Sequence, residues 1–188
     1  MSVTVADLLE LPSLRGARLV AGRGGKNKLV SSISVLEYSD PNFLQDALFH
    51  NNEFYGSEIV ITGFTNIPND VEAQCANLRR LAEVGEVGLI LYYVGIFMPR
   101  VDAKLMELAD ELDFALIVMP ENRMDLRYSE VICEVMEAIF KVRYWDYSHK
   151  KFNFQGQICL ESSLAWGFLT ILMTRMIHKP IEAFALWL

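Results

Sequence analysis

Basic charge is in short supply in this 188-residue sequence: 17 Lys and Arg stand against 24 Asp and Glu, a net charge of −7. A free-standing nucleic-acid binder needs a surplus of Lys and Arg on one face to neutralise phosphates, so direct nucleic-acid binding is not expected. Cysteine is scarce as well. Cys75, Cys133 and Cys159 are odd in number and far apart, which leaves neither a disulfide framework nor a CxxC metal or redox motif and fits a reducing cytoplasm. Of the three histidines, His50, His149 and His178, none has a second His or Cys at the three- or four-residue spacing of a helix-borne metal site. There is no GxSxG elbow, and no cysteine has a basic neighbour that would lower its thiol pKa. No catalytic residue, metal or cofactor is therefore expected, and the chain reads as a non-enzyme. The glycine-rich GRGGK at residues 22–26 lacks the GxxxxGK[ST] spacing of a phosphate loop, because Val20 stands where the first glycine belongs and Asn27 where the Ser or Thr belongs. A hairpin turn is the simpler expectation. The N-terminus carries acids where an export signal would need a basic start and an uninterrupted apolar stretch.

What the chain has in quantity is apolar residues, 52% of the total, enough for a proper core without disulfide staples and too many for a disordered chain. Charge is divided unevenly. Residues 143–188 hold five basic and three acidic residues, and the first 142 hold 12 against 21, a net of −9. All three tryptophans, Trp145, Trp166 and Trp187, lie in the second part. This composition break predicts two parts, 1–142 and 143–188.

In the first part strands and helices alternate. Thr4 and Asp7 have the spacing of a capping box, which predicts a short helix over 5–11. Residues 18–21 and 29–36 read as strands flanking GRGGK. SEIVITG (57–63), VGLILYY (87–93) and FALIVMP (114–120) are short apolar runs rich in β-branched residues, and read as buried parallel strands. Between them, Asn69 and Glu72 offer a second capping box, with Val71, Cys75, Leu78 and Ala82 on one helical face. Val101, Leu105, Leu108 and Leu112 form another such face, and Tyr128, Ile132, Val135, Ile139 and Val142 a third within a helix over 125–142. The expected class is α/β: a mostly parallel sheet with flanking helices, plus a hydrophobic helical C-terminal tail.

In an open parallel sheet small molecules bind in the crevice at the carboxyl ends of the strands. Thr62 and Gly63 leave one strand, Tyr92 and Tyr93 a second, and Met119, Pro120, Glu121 and Asn122 a third, while Glu37 and Asp40 follow an earlier strand of undetermined direction. Hydroxyls and acids around an apolar cleft suit a small polar metabolite. The candidate ligand-binding set is Glu37, Thr62, Gly63, Tyr92 and Asn122; ordinary loop punctuation by Gly63 and Pro120 is the competing account.

The succession TVADLLELPSLRGARLVAG, VSSISVLEYSD, GSEIVITGF, LRRLAEVGEVGLILYYVG, ELADELDFALIVMPEN and SEVICEVMEAIF resembles the N-terminal sensory domain of the purine catabolism regulator (PucR) family of bacterial transcription regulators. The resemblance covers residues 1–142 in the family's order. It implies a cytoplasmic α/β effector-sensing domain that precedes a middle domain and a C-terminal helix-turn-helix, with a second copy of the chain or a regulatory protein as partner. It brings no catalytic signature.

After Val142 the chain departs from that pattern. The pieces WDYS, FNxxGxICL and SLxWG resemble an ABC-transporter-type permease family of membrane proteins. The uncharged runs there, 152–160 and 162–174, are shorter than the roughly 20 apolar residues that cross a bilayer core. Accepting Glu161 gives a marginal span at 157–174 with Arg175, His178 and Lys179 as a basic flank; an amphiphilic helix packed on protein is the alternative. The chain stops inside another apolar stretch, FALWL, as expected of a truncated or fused reading frame, and no helix-turn-helix is expected in it. Two functions remain: a metabolite-sensing regulatory domain of purine or nitrogen catabolism, and a membrane-associated fragment related to a permease.

Overall fold

A computed structural model describes residues 2–37 and 56–152, with side chains as far as Val142. Asp40, His50 and the 157–174 segment lie outside the described residues.

The three apolar runs form the centre of a five-stranded sheet. In chain order the strands are β1 (Arg18–Ala21), β2 (Ser32–Val35), β3 (Glu58–Thr62), β4 (Gly88–Leu91) and β5 (Ala115–Val118), arranged β1-β5-β4-β3-β2. β2, β3, β4 and β5 run parallel, with Ile61 opposite both Val35 and Ile90, and Ile90 opposite Ile117. β1 closes the far edge antiparallel to β5 and carries an irregularity between Leu19 and Ala21. Every residue of β3, β4 and β5 is buried, because helices cover both faces of a parallel sheet and leave no side for water.

The side-chain alternation of a strand sorts those residues into two cores. Val60, Leu89, Leu91, Leu116 and Val118 pack under α2 (Val71–Glu83) and α3 (Ala103–Glu111) through Cys75, Leu78, Leu81, Leu105, Leu108 and Ala109. Ile59, Ile61, Ile90, Tyr92 and Ile117 pack under α1 (Val5–Leu8) and α4 (Tyr128–Phe152) through Val5, Leu8, Val131, Val135 and Ile139. Each fully buried Leu or Ile contributes roughly 2 kcal/mol relative to exposure.

Helix starts follow local chemistry. Thr4 and Asp7 form the expected capping box, Thr4 N–H donating to Asp7 at 2.8 Å and Asp7 N–H to Thr4 Oγ1 at 3.3 Å. These Thr4 bonds hold the Asp7 carboxyl below its usual range. The second box is displaced by one residue: Asp70, not Asn69, caps α2 by accepting from Ala73 N–H at 2.9 Å, and Glu72 instead pairs with Lys104 at 2.8 Å. Asp102 is the cap of α3. Helix α4 begins at Tyr128, three residues later than the pattern suggests, and is continuous through Arg143 to Phe152. The chain divides into two compact units, Met1–Ser148 and His149–Leu188.

The GRGGK segment is a correction. It is not a hairpin turn, since β1 and β2 occupy opposite edges of the sheet and never pair. Residues Arg23–Asn27 form a 3-10 turn pressed against the start of β5, where a Cβ on Gly22 would sit 1.8 Å from the Phe114 carbonyl oxygen and one on Gly25 2.3 Å from that of Asp113. Gly22 also has φ +70°, and its N–H donates to Asp110 at 2.6 Å. The glycines are there for backbone approach. The strand expected over 29–36 is likewise shorter, with Leu29 making only an isolated bridge to Thr4.

Candidate functional site

Because β2 is parallel to its neighbours, the segment leaving it emerges on the same side as the exits of β3, β4 and β5. That resolves the direction left open by the sequence and brings Glu37 to the carboxyl-end crevice. Its carboxylate joins three elements. Oε1 accepts from Gly63 N–H, at short range, and from the Tyr128 hydroxyl at 2.9 Å, while Oε2 accepts from the Thr65 hydroxyl at 2.9 Å. The Thr62 hydroxyl lies 3.3 Å from Oε1 but has a nearer acceptor in the Leu36 carbonyl at 2.7 Å, which takes its one proton. Its oxygen in turn accepts from Phe64 N–H at 3.0 Å.

Aromatic rings cluster beside this carboxylate. Tyr93 stacks on Tyr128 with centroids 5.8 Å apart, Tyr92 meets Tyr128 edge-on at 4.4 Å, and Phe97 meets Tyr93 edge-on at 5.6 Å. Burial first, then the Glu37 charge and their hydrogen bond, push the Tyr128 phenol well above its ordinary range, so it stays a donor. Burial, followed by Tyr93 and Glu130, does the same for Tyr92, whose hydroxyl reaches the Arg127 carbonyl at 3.5 Å. Phe97 is 45% exposed, and Glu37, Tyr93 and Tyr128 are half-buried.

Of the five candidate residues, the structure brings Glu37, Thr62 and Gly63 into direct contact and sets Tyr92 behind them, packed on Tyr128. Thr62 and Tyr92 have no exposed surface, so they shape the crevice from beneath. Asn122 is exposed one strand further along, its N–H donating to the Val94 carbonyl at 2.9 Å and its side chain lying against Gly95. Thr65 and Tyr128 were not singled out as ligand-site residues. Tyr128 was legible only as an apolar position at a helix start, and nothing in its spacing announced a hydroxyl aimed across the sheet. The exits also carry backbone strain, with φ +47° at Phe64, +59° at Tyr93 and +59° at Asn122. Holding side-chain-bearing residues there costs on the order of 1 kcal/mol each, and such strain clusters at ligand-binding loops.

The loop that begins at Thr65 continues along a surface hollow of about 610 Å³ lined by Asn66, Ile67, Pro68, Asn69, Asp70, Val71 and Glu72. It is broad and open, and the more specific chemistry lies at Glu37. Among the described residues no group of three or more His, Cys, Asp or Glu side chains could hold a metal ion. Among them too, no helix is long and apolar enough to cross a membrane. Cys75 is buried, which raises its thiol pKa, and Cys133 is exposed.

The described residues thus form a mostly parallel α/β sheet, covered by helices on both faces, with a polar and aromatic cluster at its strand exits. The chain belongs to the purine catabolism regulatory protein-like family, whose model matches residues 7–139. That is a family of regulator-type proteins. A second family, described as "Putative ABC-transporter type IV", matches residues 128–188. Among curated proteins, the chain is 23% identical over 160 residues to the purine catabolism regulatory protein of Bacillus subtilis (strain 168), covering 80% of this chain and 27% of that protein. The chain thus spans about a quarter of that relative's length. No solved structure matches it.

Proposed function

We propose that residues 1–142 are the non-enzymatic sensory domain of a cytoplasmic, purine-catabolism-type transcription regulator, and that they bind a small polar metabolite at the strand exits. The observation that carries this reading is the Glu37 carboxylate, half-buried and shared between the exits of β2 and β3 and the first residue of α4. A polar centre tied to three elements lets a ligand that competes for those hydrogen bonds alter how the elements are held together. The net charge of −9 on residues 1–142 opposes phosphate contact, so contact with duplex DNA falls to another part or partner of the regulator.

The test is a thermal-shift screen of the whole chain against purine bases, their oxidised products and other nitrogen metabolites. A ligand at a hundredfold excess over its dissociation constant adds roughly 2.7 kcal/mol of stability if it binds only the folded state. Hits should be lost in Gly63→Ala, whose new Cβ would lie 3.1 Å from both Glu37 Oε1 and the Tyr93 ring. Hits that survive this substitution and Asn122→Ala place the site elsewhere, and tight, salt-sensitive DNA binding by the chain sinks the reading.

The match of residues 128–188 to a transporter-type family favours a second reading, a membrane-associated protein with the α/β unit as its soluble part. Fractionation decides it: recovery of the chain with membranes after a high-salt wash supports this second reading, and recovery in the supernatant supports the first.

A further inference from the structure

Glu37 has no ion-pair partner among the described residues. Its partners are one backbone N–H and two hydroxyls, all neutral. The start of α4 supplies some compensation through Tyr128, but a helix N-terminus is equivalent to only about half a positive charge. A carboxylate has about four acceptor positions, and two are used on Oε1 and one on Oε2. Among the described residues, the acceptor position left unused is on Oε2, beside the exposed Thr65.

Aromatic rings stand beside this carboxylate. Tyr93 and Glu37 flank the same glycine, since an ideal Cβ on Gly63 would lie 3.1 Å from the Tyr93 ring and 3.1 Å from Oε1. Phe97 continues the aromatic wall outward from Tyr93 and is 45% exposed. Aromatic faces are the negative part of the ring quadrupole and attract cations. An anion entering here would meet a carboxylate beside aromatic rings. A cation would gain a charge-assisted hydrogen bond and cation–π contacts, and the −9 net charge of residues 1–142 would raise its local concentration.

We propose that this site takes a compact organic cation, an ammonium, amidinium or guanidinium head group, held between Glu37 Oε2 and the Tyr93 and Phe97 rings. The inference rests on the metabolite-binding reading above and adds the sign of the ligand's charge.

The experiment is titration calorimetry on the full chain with pairs that share shape and differ in charge: methylguanidinium against methylurea, and benzamidinium against benzamide, with benzoate as the anion. Each cation should bind at least roughly tenfold more tightly than its neutral partner, with benzoate not binding and the preference shrinking as salt rises to about 0.5 M. Glu37→Gln should bring each ratio close to one. Should that variant unfold, two others decide the matter. Tyr128→Phe keeps the carboxylate and removes a neutral donor, so it should preserve or increase cation affinity, and Phe97→Leu should weaken the cations about threefold without affecting the neutral partners. Equal binding within the pairs, no cation binding up to about ten millimolar, or loss of cation binding in Tyr128→Phe overturns the proposal. If the cations fail while neutral metabolites still raise the melting temperature through Gly63, the sensory reading stands and only the charge assignment falls.

Discussion

Replacing Thr62 by valine separates a structural role from a ligand-binding one at the centre of the crevice. The hydroxyl is wholly buried, donates to the Leu36 carbonyl at 2.7 Å and accepts from Phe64 N–H at 3.0 Å. Valine has nearly the same shape, so it opens no cavity, but it strips both backbone groups of a partner. Each unsatisfied buried group costs about 1 to 3 kcal/mol, and the extra methyl returns part of this, which leaves a net loss of roughly 2 to 3 kcal/mol. In a domain of this size that lowers the melting temperature by about 6 to 10 °C. Thr62→Ser keeps both bonds and loses one buried methyl, for about 1 kcal/mol. Urea unfolding followed by circular dichroism measures both variants, and hydrogen exchange at the Phe64 amide gives a local readout, because that N–H lies in the left-handed turn at φ +47°. If valine costs less than serine, or less than about 0.5 kcal/mol, the hydroxyl is not the tie that the geometry shows.

Other substitutions probe other links. Gly22→Ala meets both a positive φ and the Phe114 carbonyl, so it should destabilise by more than about 2 kcal/mol in the same unfolding assay, whereas alanine at exposed Arg23 should change little. Glu86, in the segment that leads into β4, is buried against the start of β3, accepts from Gly56 N–H at 3.1 Å and Glu58 N–H at 2.5 Å, and has its pKa raised by burial against those bonds, with the Glu58 charge adding to the rise. An acid whose folded pKa is raised favours folding at low pH, so its contribution is lost as pH climbs from the ordinary carboxylate value through the folded one. The stability difference between wild type and Glu86→Gln, measured from about pH 4 to 7, should shift steadily in favour of the variant, and a flat difference refutes the shift. A chain ending at Ser148 should keep a cooperative melt if Met1–Ser148 is self-sufficient; loss of that melt would make the rest of the sequence part of the core.

The central sheet was legible because fully buried strands have no alternative in sequence: the IVI of β3, GLIL and ALIV are apolar on both faces, and each strand is followed by the punctuation of a strand exit. The edges were not legible for the same reason. β2 is half-buried at every position and carries Ser32 and Ser34, so its pattern does not distinguish a parallel edge from one arm of a hairpin. Proximity in sequence favoured the hairpin around GRGGK. What decided otherwise is long-range packing, with those glycines fitted against Asp113 and Phe114 some ninety residues away. Helix starts were legible to within one to three residues, because Asn69 and Asp70 are both good caps and only backbone geometry chooses between them.

The site was half legible, and the division follows from what topology can and cannot order. Strand exits are adjacent once the sheet order is known, so Thr62, Gly63 and Tyr92 could be named together. Glu37 could be named with them but not placed, because the direction of its strand was open until β2 proved parallel to β3. Tyr128 required a further fact, that α4 packs over Ile59, Ile61 and Tyr92 through Val131 and Val135 and so brings its first residue to the mouth of the crevice. Both family matches include residues 128–139, the opening turns of this helix. There the apolar positions serve the sheet, while Tyr128 bonds Glu37 from the helix end. The carboxylate is therefore linked to a helix that continues to Phe152 as well as to the strands beneath it. A ligand that donates to Oε2 joins Thr65 at the rim and leaves the Tyr128 bond to Oε1 in place; one that draws the carboxylate away loosens both, so hydrogen bonding at the Tyr128 hydroxyl distinguishes a ligand that merely sits beside the carboxylate from one that acts on α4.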